Sequence, residues 1–182
     1  MGVGCPVSEK REKTTAKPRK KPENEKRKIR CSFTGHRPQY LKRSEEDVRV
    51  DLENAIMAAI RDGYTTFITG LACGVDIWAG EIVARMKVND PRLHLVAAIP
   101  FPDFSEGWPE GWKARYNALM AQAEYVKVMA PEYSKAAFEA RNKWMVDHSS
   151  RVIAVYNGEP GGTRNTIIYA RKSRVPVRLL KG

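Results

Sequence analysis

A glycine pair, Gly161-Gly162, stands between an apolar segment, Arg151-Val-Ile-Ala-Val-Tyr156, and a helical stretch from Thr163 to Ser173. A buried strand that ends in glycines and turns into a helix lets backbone N–H groups approach an anion closely. The first helical turn adds donors without intrahelical partners and a partial positive charge. Glycine also serves strand–helix turns through its backbone freedom alone, so the pair needs support from elsewhere. A second loop, Gly70-Leu-Ala-Cys-Gly-Val-Asp76, supplies it. Two such loops predict a small phosphorylated ligand, most simply a nucleotide. Gly162 then needs either an unusual backbone angle or a close ligand approach, and Thr163 offers a hydroxyl to the same anion.

Strand and helix signals alternate from residue 29 onward. Ile29, Cys31 and Phe33 alternate and lead into Thr34-Gly-His-Arg-Pro38. Ser44 with Asp47 reads as a helix cap with an acidic partner, and Val48, Leu52, Ala55, Ile56, Ala59 and Ile60 keep helical spacing until Gly63. Further strands are predicted at 65–69, 93–99, 125–129, 151–156 and 175–180, with helices from Asp76, after Pro109, over 136–147 and over 163–173. This order predicts a three-layer α/β sandwich with a mostly parallel sheet and helices on both faces. Ligands of open α/β sheets bind outside the carboxyl ends of the strands, where strand order reverses. The loops from Gly35, Gly70 and Asn157 therefore face the predicted site.

The 32 Lys and Arg against 21 Asp and Glu give a net charge of +11. Residues 1–30 hold eleven of the basic and four of the acidic residues, so +7 of that charge is in the leading segment. With almost no large apolar residues, residues 1–28 read as a disordered basic tail, and 29–182 as one domain. The tail is either a solubilising extension or an arm for nonspecific nucleic-acid contact. No apolar run is long enough to span a membrane, and the first residues lack a secretory pattern. Cys5, Cys31 and Cys73 have no metal-ligand spacing and read as free thiols, so a cytoplasmic protein is expected. His36, His94 and His148 are too scattered for a metal signature, and no metal is expected. Strand edges and exposed aromatics allow a homodimer.

The candidate ligand-binding residues lie on these loops. Gly35, His36 and Arg37 leave the first strand, and Arg37 offers a fork to phosphate or carboxylate. Gly70 and Gly74 permit a tight turn. Asp76 either caps the next helix or accepts hydrogen bonds from ribose hydroxyls. Cys73 is one position away from a nucleophile elbow and reads as a packed residue. Arg141 and Asn142 lie one element before the Gly161-Gly162-Thr163 turn. Trp108 and Trp112 either stack on a base or pin the loop after the third strand.

In Ser32-Phe-Thr-Gly-His-Arg-Pro38, Thr69-Gly-Leu-Ala-Cys-Gly-Val-Asp76, Arg141-Asn-Lys-Trp-Met-Val-Asp147 and Val152 through Gly161-Gly-Thr163, the chain resembles the SLOG superfamily. Within it, the chain is similar to small bacterial YpsA/YoqJ-like proteins. The resemblance implies a Rossmann-like fold and a pocket for a nucleotide or nucleotide-derived ligand, and a module that binds or senses such a ligand is the function expected first. Two other activities occur among its relatives. LOG-like enzymes, nucleotide phosphoribohydrolases, pair an arginine matching Arg141 with a glutamate after the glycine–threonine turn. Here Arg164-Asn165-Thr166 follow Thr163 with no acid, and Arg141 alone remains as a catalytic candidate. DprA-like proteins resemble the chain over Gly70 to Asp76 and bind single-stranded DNA.

Overall fold

The computed structural model describes residues 22–182. Its strands are β1 (Arg30–Gly35), β2 (Thr66–Thr69), β3 (His94–Ile99), β4 (Tyr125–Val128), β5 (Arg151–Tyr156) and β6 (Val177–Lys181). They form a six-stranded sheet in the order β4-β3-β2-β1-β5-β6. Every neighbouring pair is parallel. The helices are α1 (Glu23–Lys28), α2 (Glu45–Arg61), α3 (Val75–Lys87), α4 (Glu110–Gln122), α5 (Lys135–Asp147) and α6 (Gly162–Lys172).

The chain steps in one direction from β1 to β4, then returns past β1 to β5 and β6. Right-handed crossovers therefore put α2, α3 and α4 on one face and α5 and α6 on the other. The packing agrees: α3 touches both α2 and α4, and α5 touches α6. Both faces are covered, which is why the strands read as near-continuous apolar runs. Phe33, Phe67, Leu95, Ile153 and Val155 turn toward α2–α4. Their alternates pack the other face: Val152 and Ala154 against Ile167 and Ala170, and Ile68, Val96 and Ala98 against Met145. In α2, Val48, Leu52, Ala55, Ile56 and Ala59 are the buried stripe. Each large aliphatic side chain so buried contributes about 1.5–3 kcal/mol.

Local signals set the helix ends. Ser44 Oγ accepts the Asp47 N–H at 3.1 Å and starts α2, and Gly63, at φ 94°, stops the chain beyond it. The last strand starts at Val177 rather than Val175, whose side chain instead joins the α6 core.

Within the segment read as a tail, Glu23–Lys28 form α1. That helix buries none of its residues. It is held by groups distant in sequence. Arg27 Nε donates to Ser149 O at 2.9 Å, and Ser150 Oγ donates to Lys28 O at 3.0 Å. No local pattern encodes such contacts. Residues 1–21, where the rest of that expectation falls, lie outside the described residues. Among the described residues, no helix is long and apolar enough to cross a membrane.

Strand order reverses between β1 and β5. The loops leaving their carboxyl ends diverge, and a crevice opens between them.

Candidate functional site

A cavity of about 720 Å³ occupies that crevice. The loop after β1 forms one wall and the loop after β5 another. Side chains of α5 close a third side, and Asp76 and Ala72 also line the space.

The wall after β1 begins at Gly35. A Cβ built there would overlap Val75, so the glycine lets the first turn of α3 lie directly against β1. His36 is buried, with its ring stacked on Tyr156 at 5.6 Å and 16°. Its Nε2 has no hydrogen-bond partner. Burial holds the imidazole below its usual pKa, partly offset by Glu159, which favours the neutral ring. Arg37 follows, exposed at the rim, and a 3₁₀ turn runs over Pro38–Tyr40. Asn157 ties this wall to the next. Its Nδ2 donates to Tyr40 O at 2.6 Å, and its Oδ1 accepts the Glu159 N–H at 2.8 Å. Lys42 Nζ lies 4.0 Å from Glu159 at the mouth.

The wall after β5 ends in the glycine pair. Gly161 caps α6 with φ 146°, a conformation that disfavours any side chain. Asn165 donates back to Gly161 O at 3.0 Å. The N–H groups before it, in the first turn, have no intrahelical acceptor. The unusual angle expected of Gly162 thus belongs to Gly161. Around Gly162 a Cβ would meet only Asn142 Nδ2, at 3.9 Å. The packing around position 162 thus leaves room for a side chain. Thr163 is buried and lines the same wall.

Charge is concentrated in one buried pair. Asp76 lies 3.6 Å from Arg141, and both are more than nine-tenths buried. Arg141 Nη1 also donates to Gly70 O at 2.5 Å, while its Nε has no partner. Burial raises the Asp76 pKa to about 6 against the pull of Arg141 and a backbone hydrogen bond at Ala72. The same desolvation lowers the Arg141 pKa, opposed by Asp76. Asp76 does not cap α3; that position belongs to Gly74, at φ 97°.

Of the predicted residues, Gly35, His36, Arg37, Asp76, Arg141, Asn142, Gly161, Gly162 and Thr163 all line the cavity. Gly70 and Gly74 stand behind it. A side chain on Gly70 would overlap Arg141, and one on Gly74 would press on Pro38 Cδ at 2.8 Å. Trp108 and Trp112 are also outside the lining. Trp108 packs edge-on against Phe104 at 5.0 Å, and Trp112 lies 6.4 Å from Trp78 under the Arg115 guanidinium. Trp108 thereby secures the loop after β3, and Trp112 ties α4 to α3. The aromatics that do line the cavity are Phe33, Tyr40, Phe104 and Phe138, beside the His36 ring. A sequence signal existed for Phe138, which precedes Arg141 by three positions on one helix and so shares its face. Cys73 is half-buried with its thiol pKa raised mainly by burial, which suits a packed residue better than a nucleophile. Thr166 is buried with its hydroxyl on Gly162 O at 2.9 Å.

Residues 31–175 match the family model described as the YspA SLOG family. A UPF0398 protein of Bacillus thuringiensis (strain Al Hakam) is 29% identical over 151 residues, covering 79% of this chain and 82% of its own. A UPF0398 protein of Bacillus pumilus (strain SAFR-032) is 28% identical over 145 residues, covering 75% and 78%. Among solved structures, DNA processing protein A of Helicobacter pylori, described for its single-stranded DNA binding mode, superposes with a TM-score of 0.62 at 19% identity. DprA of Streptococcus pneumoniae gives 0.61 at 17% identity. Each alignment covers 85% of this chain, but only 66% of the Helicobacter protein and 51% of the Streptococcus one. At these identities the likeness is one of fold, a Rossmann-like α/β sandwich.

Proposed function

We propose, because this chain belongs to the YspA SLOG family, that it is a binding module for a nucleotide or nucleotide-derived ligand. The observation that carries this reading is the first turn of α6 opening onto the cavity at the strand-order switch, with Gly162 leaving the approach clear. Backbone donors and the helix dipole favour a phosphate there. Arg37 at the rim adds a mobile cation, and the cavity volume lies within the range of small-molecule sites. Asp76 and Arg141 supply polar groups for the rest of the ligand. Calorimetric titration with a nucleotide and its matching nucleoside tests the idea. The nucleotide is expected to bind at least tenfold more tightly. Equal affinity for the two would sink the phosphate cradle.

A hydrolytic role has less support. The position that carries an acid in LOG-like enzymes falls in the Arg164–Thr166 stretch, where Thr166 is turned onto its own backbone.

A second binding reading draws on a groove of about 700 Å³ between α5 and α6. It shares Phe138, Asn142 and Gly162 with the cavity and carries Lys143 and Lys172. A strand of nucleic acid whose end enters the cavity would continue along it. Salt-sensitive affinity for single-stranded oligonucleotides, absent for free nucleotides, is the mark of this alternative.

A further inference from the structure

Two parts of the cavity lining differ in chemistry. One is polar backbone at the start of α6. The other holds the rings of Phe104 and Phe138. Phe138 is half-buried, and three rings hold it edge-on: Phe101 at 5.8 Å, Phe104 at 5.6 Å and Tyr133 at 5.9 Å. The interplanar angles are 74°, 70° and 72°. This packing restrains the ring before any ligand arrives.

The distance between the two parts follows from the helix. Asn142 is the residue of α5 that meets Gly162. Phe138 is four residues earlier, so the helical rise puts it about 6 Å along α5 from that contact. A ribose fills such an interval. Polar groups flank the aromatic part as well. The Arg141 guanidinium stands 6.0 Å from the Phe104 ring centre and pairs with Asp76 at 3.6 Å. Ring, guanidinium and carboxylate are thus contiguous, and the carboxylate accepts from N–H or O–H groups.

We propose that Phe138, backed by Phe104, is the subsite for the heteroaromatic base of the ligand, with Asp76 and Arg141 as polar contacts beside it. The assignment rests on the nucleotide reading above and goes beyond it, since a phosphate cradle alone would accept a sugar phosphate. It also moves base stacking from Trp108 and Trp112 to α5.

The test uses the full chain with the four common ribonucleoside 5′-monophosphates and ribose 5-phosphate as probes, titrated calorimetrically. At least one nucleotide is expected to bind about tenfold or more tighter than ribose 5-phosphate, as for one stacked base. Phe138→Leu should remove that advantage while leaving ribose 5-phosphate affinity within twofold. Phe138→Trp, which restores a stacking face, should keep it and covers the case in which the leucine variant fails to fold. Equal binding of ribose 5-phosphate and every nucleotide, still lost in Gly162→Val, would overturn the subsite and leave the phosphate cradle standing. So would a nucleotide advantage that survives in Phe138→Leu, or one lost in a folded Phe138→Trp. Absence of binding by all five probes would overturn the nucleotide reading and the subsite with it.

Discussion

Arg141 fills the volume that a side chain at Gly70 would need, and its Nη1 donates to the Gly70 carbonyl. A Cβ there would also approach Asp76 Oδ2 at 2.6 Å. Gly70→Ala should therefore push the guanidinium off its partners and leave a buried carboxylate uncompensated. The expected loss is about 3–5 kcal/mol, the usual penalty for breaking a buried pair. Urea unfolding measures it, and a loss under about 1 kcal/mol would show that the pair relocates freely.

Asp76 makes stability depend on pH. Its pKa in the folded protein, about 6, exceeds the ordinary value of 3.8. The native state therefore holds this proton more tightly than the unfolded chain does. The associated stability is fully present below pH 4 and is lost as pH rises through 6. Asp76→Asn lacks this dependence. The parent's stability minus the variant's should fall by about 3 kcal/mol between pH 3.5 and pH 7. A difference that stays flat across that window would count against a desolvated carboxylate.

The glycine pair separates into two roles. Gly161→Ala forces a side chain into a positive φ and should cost about 1 kcal/mol or more. Gly162→Ala replaces glycine inside a helix whose backbone tolerates the change, so the melting temperature should hold or rise. Nucleotide affinity should nonetheless fall in Gly162→Ala. Thermal melts paired with titrations check both. Unchanged affinity in Gly162→Ala would remove the close-approach argument.

No base release above the uncatalysed rate is expected from adenosine monophosphate and related compounds. The chain lacks the acid that LOG-like enzymes carry after the glycine–threonine turn, and Thr166 is committed to Gly162 O. Chromatography of overnight incubations checks this. Turnover that vanishes in Arg141→Ala would show the reverse.

Arg27→Ala should cost about 1 kcal/mol through the lost hydrogen bond to Ser149 O. A neutral result would mean that α1 is only lightly attached.

Much of this architecture was legible because its signals are local. Val48 through Ile60 spelled a helix by spacing, Ser44 announced its start, and the apolar runs at Phe67 and Leu95 could only be strands covered on both faces. The candidate crevice was expected at the carboxyl ends of the strands because alternating strands and helices imply an open parallel sheet. Pairings between distant segments were not legible. Nothing near Glu23 predicts that Arg27 will find Ser149, and nothing near Gly70 shows that its missing side chain makes room for Arg141. The sequence left the tryptophans with two readings, stacking or pinning, for the same reason. Trp108 and Phe138 are both aromatic residues near loops, and only the packing around Phe104 decides which one faces the cavity.

The contrast between a packed floor and an exposed rim bears on kinetics. Asp76 and Arg141 are buried in the cavity floor, whereas Arg37 and Lys42 project into solvent. Charges in water steer encounter, and buried contacts govern escape. Neutralising Arg37 or Lys42 would slow association in a way that added salt mimics. Altering the floor would shorten the lifetime of the bound state and leave arrival nearly untouched. On the proposed nucleotide-binding reading, residence time and capture rate fall to different side chains of one cavity, so each can be tuned without the other.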